Sequence, residues 1–278
     1  MSGPVPLELG PVGVWRFHRE LTPELAAATE RLGYGAVWIG GSPEPGLELA
    51  ESLLDATERV VVATGIVNIW EADAATVAAS YHRLEARHPG RFLLGVGIGH
   101  PEAVKEYQKP YDKIVEYLDE LDVAGVPVER RILAALGPKV LQLAAERTAG
   151  AHPYLTPPAH TAFARKILGD GPLLAPEQKV VLDTDPERAR GICRPKVEKP
   201  YLSLVNYRQN LLRFGFTEDD LAGGGSDRLI DTLAVHGDAD AASGGIRAHL
   251  DAGADHVCVQ VLGRDPLPAY RALAEVLF

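Results

Sequence analysis

The stretch Val60–His100 constrains the fold of this chain more than any other part. It reads as strand, turn, helix, strand and turn, and both strands end in glycine-rich sequence, Ala63-Thr64-Gly65-Ile66-Val67-Asn68 and Gly95-Val96-Gly97-Ile98-Gly99-His100. Parallel strands joined by a helix place both strand ends at one edge of a sheet, where α/β folds build their binding sites. Because glycine lets a flat ligand lie against the backbone, the sequence predicts a ligand site at this edge.

Size and charge limit the classes of protein that fit. A chain of 278 residues with 46% hydrophobic residues can bury one large core, so a single domain over residues 1–278 is expected. A formal net charge of -10 argues against a nucleic-acid or anionic-membrane partner. The N-terminus has no signal-like pattern and the two cysteines, Cys193 and Cys258, are far apart, which favours a reduced, cytoplasmic protein without disulfides.

Apolar runs of strand length recur eight times, and helical patterns lie between them. A capping residue followed by proline or alanine marks five helix starts, at Thr22, Asp73, Gly137, Thr156 and Asp185. The eight predicted strands are Val12–Trp15, Ala36–Ile39, Val60–Ile66, Phe92–Val96, Ile132–Ala135, Ala151–Tyr154, Lys179–Leu182 and His256–Leu262. Eight αβ units in a chain of this length predict a (β/α)8 TIM barrel, with a doubly wound sheet as the alternative.

The segment 185–245 breaks this regular spacing. It shows helical polar sequence and the turn Ala222-Gly223-Gly224-Gly225, but no convincing strand. We interpret it as a helical insertion between strands 7 and 8 that covers the strand ends or forms a subunit contact. A plain long helix with a surface loop is the alternative interpretation.

Several chemical motifs are absent from the sequence. There is no GxxxxGK[ST] phosphate loop, no HExxH, no CxxC pair and no GxSxG elbow, which argues against nucleotide hydrolysis, a zinc peptidase and an α/β-hydrolase, and no metal site is expected. The run Gly95–His100 is close to a dinucleotide fingerprint, but His100 stands where the third glycine is needed.

The chain resembles the bacterial luciferase-like superfamily, and within it the actinobacterial branch of deazaflavin (coenzyme F420) oxidoreductases. The resemblance is carried by Ala63-Thr64-Gly65-Ile66, the helix that follows, and above all His88-Pro89-Gly90-Arg91-Phe92-Leu93-Leu94-Gly95-Val96-Gly97-Ile98-Gly99. It continues through Gly137-Pro138-Lys139, Gly150-Ala151-His152-Pro153-Tyr154 and Ala252–Val257.

The resemblance implies a luciferase-like (β/α)8 barrel with F420, or alternatively FMN, in the strand-end mouth. It also implies a non-proline cis peptide bond at Gly65–Ile66, next to the ring of the cofactor. The residues that the resemblance assigns to cofactor binding are Trp15, Trp38, Thr64, Gly65, Ile66, Val67, Asn68, Gly137, Pro138, Lys139, Gly150, Ala151, His152 and Pro153.

Several of these positions have an ordinary structural interpretation as well. The turn Gly137-Pro138-Lys139 opens a helix whose free N–H groups, beside a lysine, suit a phosphate, but a helix cap with a solvated lysine fits equally. Trp15 and Trp38 either wall the pocket or pack in the core. His100, where relatives carry a catalytic carboxylate, is either the proton donor or an exposed loop residue.

The resemblance also indicates the chemistry. It implies hydride transfer between F420 and a small organic substrate, an alcohol, carbonyl or activated alkene, with a homodimer as a possible assembly. The alternatives are an FMN-dependent monooxygenase and an F420-binding protein without turnover. Sugar phosphates are disfavoured because Gly40-Gly41-Ser42 replaces the acidic residue and histidine of that branch. Glu177 and Gln178 are expected at the opposite end from the site, in a structural role.

Overall fold

A computed structural model describes residues 7–99 and 109–278. The described chain folds around one curled sheet of parallel strands. Its strands are β1 Val12–Phe17, β2 Ala36–Gly40, β3 Val61–Gly65, β4 Val67–Asn68, β5 Phe92–Gly97, β6 Arg131–Leu133, β7 Gly150–Ala151, β8 Leu173–Leu174, β9 Glu177–Val181, β10 Ala234–His236 and β11 Val257–Val261.

Helices follow most of the strands. They are α1 Pro23–Arg31, α2 Glu48–Asp55, α3 Ala74–Arg87, α4 Pro110–Val123, α5 Pro138–Arg147, α6 Pro158–Leu168, α7 Pro186–Glu198, α8 Val205–Arg213, α9 Glu218–Leu221, α10 Asp227–Leu233, α11 Ala239–Asp251 and α12 Leu267–Leu277. Within the two described ranges, no helix combines the length and apolarity needed to cross a membrane.

The strand order is β10-β9-β11-β1-β2-β3-β5-β6-β7-β8, with β4 paired to β5, and every pairing is parallel. The short link between β8 and β9 touches strands on both sides. The Ala175 amide donates to Ala151 O at 2.9 Å, and the Cys258 amide donates to Pro176 O at 2.8 Å. All strands therefore point their carboxyl ends to one face of a curled sheet.

Local sequence explains most helix starts. Thr22, Asp73 and Asp185 accept hydrogen bonds from backbone amides in the first turns of α1, α3 and α7, as predicted. Thr156 does not: α6 begins at Pro158 after Pro157, without a side-chain cap, and the Thr156 hydroxyl is buried. The predicted start at Thr156 is therefore wrong, because Pro157 takes the position before the helix.

The segment 185–245 is mostly helical, and it differs from the prediction in two respects. It contains the strand β10, which extends the sheet beyond β9, and α11 continues past residue 245 to Asp251. Three β10 residues give too short an apolar run to be recognised as a strand. The segment packs through its own apolar cluster, which includes Val197, Leu211 and Ile230.

Candidate functional site at the strand ends

The peptide bond between Gly65 and Ile66, where β3 ends, is cis, as the resemblance implied. Glycine is required close by, because a Cβ on Gly95 would overlap Thr64 O. Thr64 joins the two strands through its hydroxyl, which donates to Gly95 O and accepts from Gly95 N, both at 2.8 Å. The backbone of β3 and β5 is therefore in close contact at the strand-end edge.

The residues after the cis bond complete this edge. Val67 and Asn68 form β4, which pairs with Val96 and Gly97 of β5. The Asn68 side chain accepts a hydrogen bond from the Trp70 amide at 3.2 Å, and a Cβ on Gly99 would lie 3.0 Å from Asn68 Nδ2. Asn68 thus fixes the turn between the two glycine-rich strand ends.

Two polar atoms meet beside Gly65 from other strands. A Cβ on Gly65 would lie 2.8 Å from Trp15 Nε1 and 3.1 Å from His152 Nε2, and within the described chain neither atom has a hydrogen-bond partner. His152 Nδ1 lies 2.6 Å from Ala175 O, so Nδ1 carries the proton and Nε2 is an acceptor. Gly65 is thus flanked by one donor and one acceptor that are buried without partners, a situation that usually signals a missing polar group.

Trp38 and His152 pack face to face in the interior below this edge. Their ring centroids are 4.6 Å apart at an interplanar angle of 20°, and Trp38 Nε1 donates to His256 Nε2 at 3.0 Å. Burial lowers the pKa of both His152 and His256 to about 4. The structure places Trp38 in core packing, which was one of its two predicted roles, while Trp15 reaches the strand-end edge.

The loops after β6 and β7 form the rest of the predicted cofactor site. Gly137 precedes α5 without a side-chain cap, and no atom of the described residues would lie within 4 Å of a Cβ on Gly137. Lys139 is exposed and its Nζ lies 3.7 Å from the centroid of the Tyr111 ring. Gly150, at φ +151°, allows β7 to lie against Leu173 O. Ala151 and Pro153 are buried beside His152.

Sequence reasoning missed a buried ion pair on β9. Lys179 Nζ lies 3.0 and 3.1 Å from the two carboxylate oxygens of Glu177, and both side chains are fully buried. The carboxylate also accepts a hydrogen bond from the Leu155 amide, in the loop after β7, at 3.2 Å. The expectation that Glu177 lies away from the site is therefore wrong, whereas Gln178 bonds to Leu233 O and His249 in a structural role.

The alternation of side chains along β9 could have revealed this pair. Glu177 and Lys179 are two residues apart, so they share one face of the strand, and Gln178 faces the other way. Burial raises the pKa of Glu177 and lowers that of Lys179, and each charge opposes the shift of the other.

His100, the predicted proton donor, lies outside the described residues. Among the residues that the structure does describe, no group of three or more His, Cys, Asp or Glu side chains could hold a metal ion. Cys193 and Cys258 are both buried and free.

Part of the chain matches the sequence model of a known protein family. Residues 14–124 match the sequence model of the family described as luciferase-like monooxygenase. No curated protein matches the chain at a significant level.

Solved structures extend the likeness to the whole fold. An F420-dependent secondary alcohol dehydrogenase, in complex with an F420–acetone adduct, is 17% identical with a TM-score of 0.76, covering 96% of this chain and 98% of its own. The coenzyme F420-dependent tetrahydromethanopterin reductase of Methanopyrus kandleri is 17% identical with a TM-score of 0.69, at the same coverage.

An FMN complex lies in the same group. The oxygenating constituent of 3,6-diketocamphane monooxygenase from Pseudomonas putida, a type II Baeyer-Villiger monooxygenase, is 16% identical with a TM-score of 0.70, covering 96% of this chain and 97% of its own. The chain therefore has a luciferase-like fold, and its residues 14–124 carry the sequence pattern of the luciferase-like monooxygenase family.

Proposed function

We propose that this protein is an F420-dependent oxidoreductase that transfers a hydride between the deazaflavin and a small alcohol, carbonyl or activated alkene. The observation that carries the proposal is the pair of unpartnered polar atoms, Trp15 Nε1 and His152 Nε2, which flank Gly65 at the strand-end edge. A donor and an acceptor buried together cost about 1–3 kcal/mol each unless a polar group satisfies them. The edge of a flat heterocycle with carbonyl and N–H groups would do so.

The residues on the opposite side of the mouth fit the tail of such a cofactor. The amides at the start of α5 follow Gly137, where no described residue would lie within 4 Å of an added Cβ, and a helix N-terminus favours a phosphate. Lys139 is exposed on the first turn of the same helix. When bound, the deazaflavin supplies or accepts the hydride at its ring carbon. The protein positions the ring against Gly65, excludes water and supplies the proton.

F420 is preferred to FMN because the phrase Pro89-Gly90-Arg91-Phe92 with the glycine run of β5 resembles the deazaflavin branch. The structural neighbours include both F420-dependent and FMN-bound enzymes, so they do not bear on this choice.

Titration of the protein with F420 and, separately, with FMN tests the choice of cofactor. Tight binding of F420 with weak or absent binding of FMN is expected, followed by transfer of hydride to or from an alcohol and enone panel. Preference for FMN with oxygen consumption would overturn the proposal in favour of a monooxygenase. Binding of F420 without turnover on the whole panel would favour a cofactor-binding protein.

We further propose His100 as the proton donor, on its position directly after the glycine run of β5. His100→Ala should lower kcat and remove one limb of the pH–rate profile while the Kd for F420 stays within a few-fold. His82→Ala, on an exposed face of α3, is the matched control. Unchanged turnover in His100→Ala would exclude the assignment.

We also propose that the curled sheet is closed into an eight-stranded barrel in which β8 and β9 act as one strand. The hydrogen bonds from Ala175 to β7 and from Cys258 to Pro176 support this, because they connect that strand to both of its neighbours. The segment 185–245 is then an insertion between β9 and β11, which are the seventh and eighth strands of the barrel. We also propose that the protein forms a homodimer.

A further inference from the structure

A row of five aromatic rings, here called the aromatic arc, crosses the strand-end face. Its members in spatial order are Phe17, Trp15, Tyr154, Tyr201 and Tyr207, and successive ring centroids are 5.1, 5.2, 5.4 and 4.9 Å apart. Phe17, Tyr154 and Tyr201 are half-buried, and Trp15 and Tyr207 are buried. Such a surface suits a flat, apolar molecule.

The buried ion pair lies directly beneath the centre of this arc. Lys179 Nζ is 3.9 Å from the centroid of the Tyr154 ring and 5.9 Å from that of Tyr201. The cation therefore lies against the Tyr154 ring. Among the described residues, it is a positive charge close enough to act on a ligand that stacks at this ring.

Glu177 cancels that charge. Both carboxylate oxygens lie within 3.1 Å of Lys179 Nζ, so the pair is neutral as a unit. An anion brought against Tyr154 would lose its hydration and meet the Glu177 carboxylate as well as the lysine. An uncharged ring of the same shape loses little hydration and keeps the stacking contact.

We propose that the substrate is an uncharged, flat carbonyl or conjugated alkene compound that stacks on the aromatic arc, and that Glu177 excludes anionic analogues by neutralising Lys179. This inference deepens the proposed function and rests on it for the identity of the site. Glu177 is a specificity residue that acts through Lys179, without contact to the substrate.

Two probes of equal shape and different charge test the proposal. 2-Acetylnaphthalene and 2-naphthoate share one ring system, and only the second is an anion at pH 7. Equilibrium dialysis on the protein, with and without saturating F420, should show the ketone binding at least about 10-fold more tightly. Equal or tighter binding of naphthoate would overturn the inference. The measurement does not require F420 to bind, so failure of the cofactor assignment is seen separately.

Glu177→Gln tests the mechanism of exclusion. In Glu177→Gln, naphthoate would replace Glu177 as the counterion of Lys179, so the affinity for naphthoate should rise about 10-fold or more at pH 6, while the affinity for acetylnaphthalene changes less than about three-fold. The gain should shrink as the pH rises, because burial lowers the pKa of Lys179. No gain for naphthoate in a folded Glu177→Gln protein would refute the role of Glu177. The double variant Glu177→Leu/Lys179→Met, which carries neither charge, should keep the wild-type preference for the ketone, and a gain for naphthoate there would count against the proposal.

Tyr201→Leu covers the case in which Glu177→Gln does not fold. Loss of one ring of the arc should weaken acetylnaphthalene binding about five-fold or more. Phe163→Leu, which removes a half-buried ring outside the arc, is the matched control and should have no such effect. Equal effects of the two substitutions would show that the arc is not the binding surface.

Discussion

The two halves of the molecule bury different kinds of side chain. Within the described part of residues 7–124, Arg16 is the one Asp, Glu, His, Lys or Arg side chain among the buried residues, and β2, β3 and β5 are almost wholly apolar. Residues 125–278 bury a second set of ionisable groups: Arg130, Arg131, His152, His160, Glu177, Lys179, His249 and His256. The apolar half is also the part that matches a family's sequence model.

This difference shows which physical terms keep each half folded. Apolar strands gain stability from burial, and each residue contributes almost independently of its partners. Buried charges and imidazoles are tolerated only when specific partners satisfy them, and some of those partners come from distant parts of the chain. Trp38 and His256, for instance, are 218 residues apart. The second half should therefore show strong coupling between substitutions, and the first half should not.

Removal of one member of the buried ion pair should have the largest effect. Lys179→Met leaves the Glu177 carboxylate buried without its cation, and breaking such a pair costs about 3–5 kcal/mol of the free energy of unfolding. The double variant Glu177→Leu/Lys179→Met should recover most of that loss, because both charges are gone. Urea unfolding measures the free energy of unfolding of the single and the double variant. Equal destabilisation of the single and double variants would contradict the coupling.

Leu94→Ala is the matching test in the apolar half. Leu94 is fully buried in β5, so truncation should cost about 3 kcal/mol through lost transfer energy and the cavity left behind. Val123→Ala, at a side chain 91% exposed, should change the free energy of unfolding by less than about 0.5 kcal/mol. If a second substitution that removes a charge restored the free energy of unfolding lost in Leu94→Ala, the two halves would not differ in this way.

The pH dependence of stability should come largely from the second half. Burial lowers the pKa of His152, His249 and His256 to about 4, against about 6.5 in an unfolded chain. Between these values the unfolded chain binds more protons, so stability is complete above about pH 6.5 and falls as the pH drops towards 4.

His256→Gln isolates one of these groups. Protonation of His256 Nε2 would break the hydrogen bond that it accepts from Trp38, so the neutral ring is the folded form. The substitution should reduce the loss of stability between pH 7 and pH 4.5 by about 2 kcal/mol. Leu94→Ala, which removes no titrating group, should leave that loss unchanged, and an unaltered pH profile in His256→Gln would contradict the assignment.

The success of prediction from the sequence also differs between the two halves of the molecule. The strands β1, β2, β3 and β5 are confirmed, because apolar runs are properties of neighbouring residues. The cis bond at Gly65–Ile66, which the family resemblance implied, is confirmed as well. The short strands β7 and β10 were misjudged or missed, since two or three residues carry no period.

The site was predicted less completely than the fold. Gly65 and Trp15 do meet at the strand-end edge, but neither the Glu177–Lys179 pair nor the aromatic arc was foreseen. Tyr154 and Tyr201 are 47 positions apart and come together through the 3₁₀ turn after α7. No local pattern encodes that contact, because it depends on how the segment 185–245 packs over the sheet.

Helix starts can also be compared between the two halves. Here the expected change in the free energy of unfolding is the smallest. The Asp73 carboxylate accepts a hydrogen bond from the Thr76 amide at 2.8 Å, so Asp73→Ala should cost about 1 kcal/mol. Thr156 has a related sequence signal, a capping residue that precedes Pro157 as Asp73 precedes Ala74. Its hydroxyl, however, is buried without a partner among the described residues and caps no helix. Thr156→Val keeps the shape and removes that hydroxyl, so it should be neutral or slightly stabilising.

Thermal or urea unfolding of the two variants side by side measures this difference. Asp185→Ala, at the start of α7 in the second half, serves as the control, because its carboxylate accepts from the amides of Glu187 and Arg188. It should behave as Asp73→Ala does, since capping is a local interaction that does not depend on what either half buries. A loss of about 1 kcal/mol in Thr156→Val would mean that the hydroxyl has a partner in solution, for which a bound water beside the site is the physical candidate.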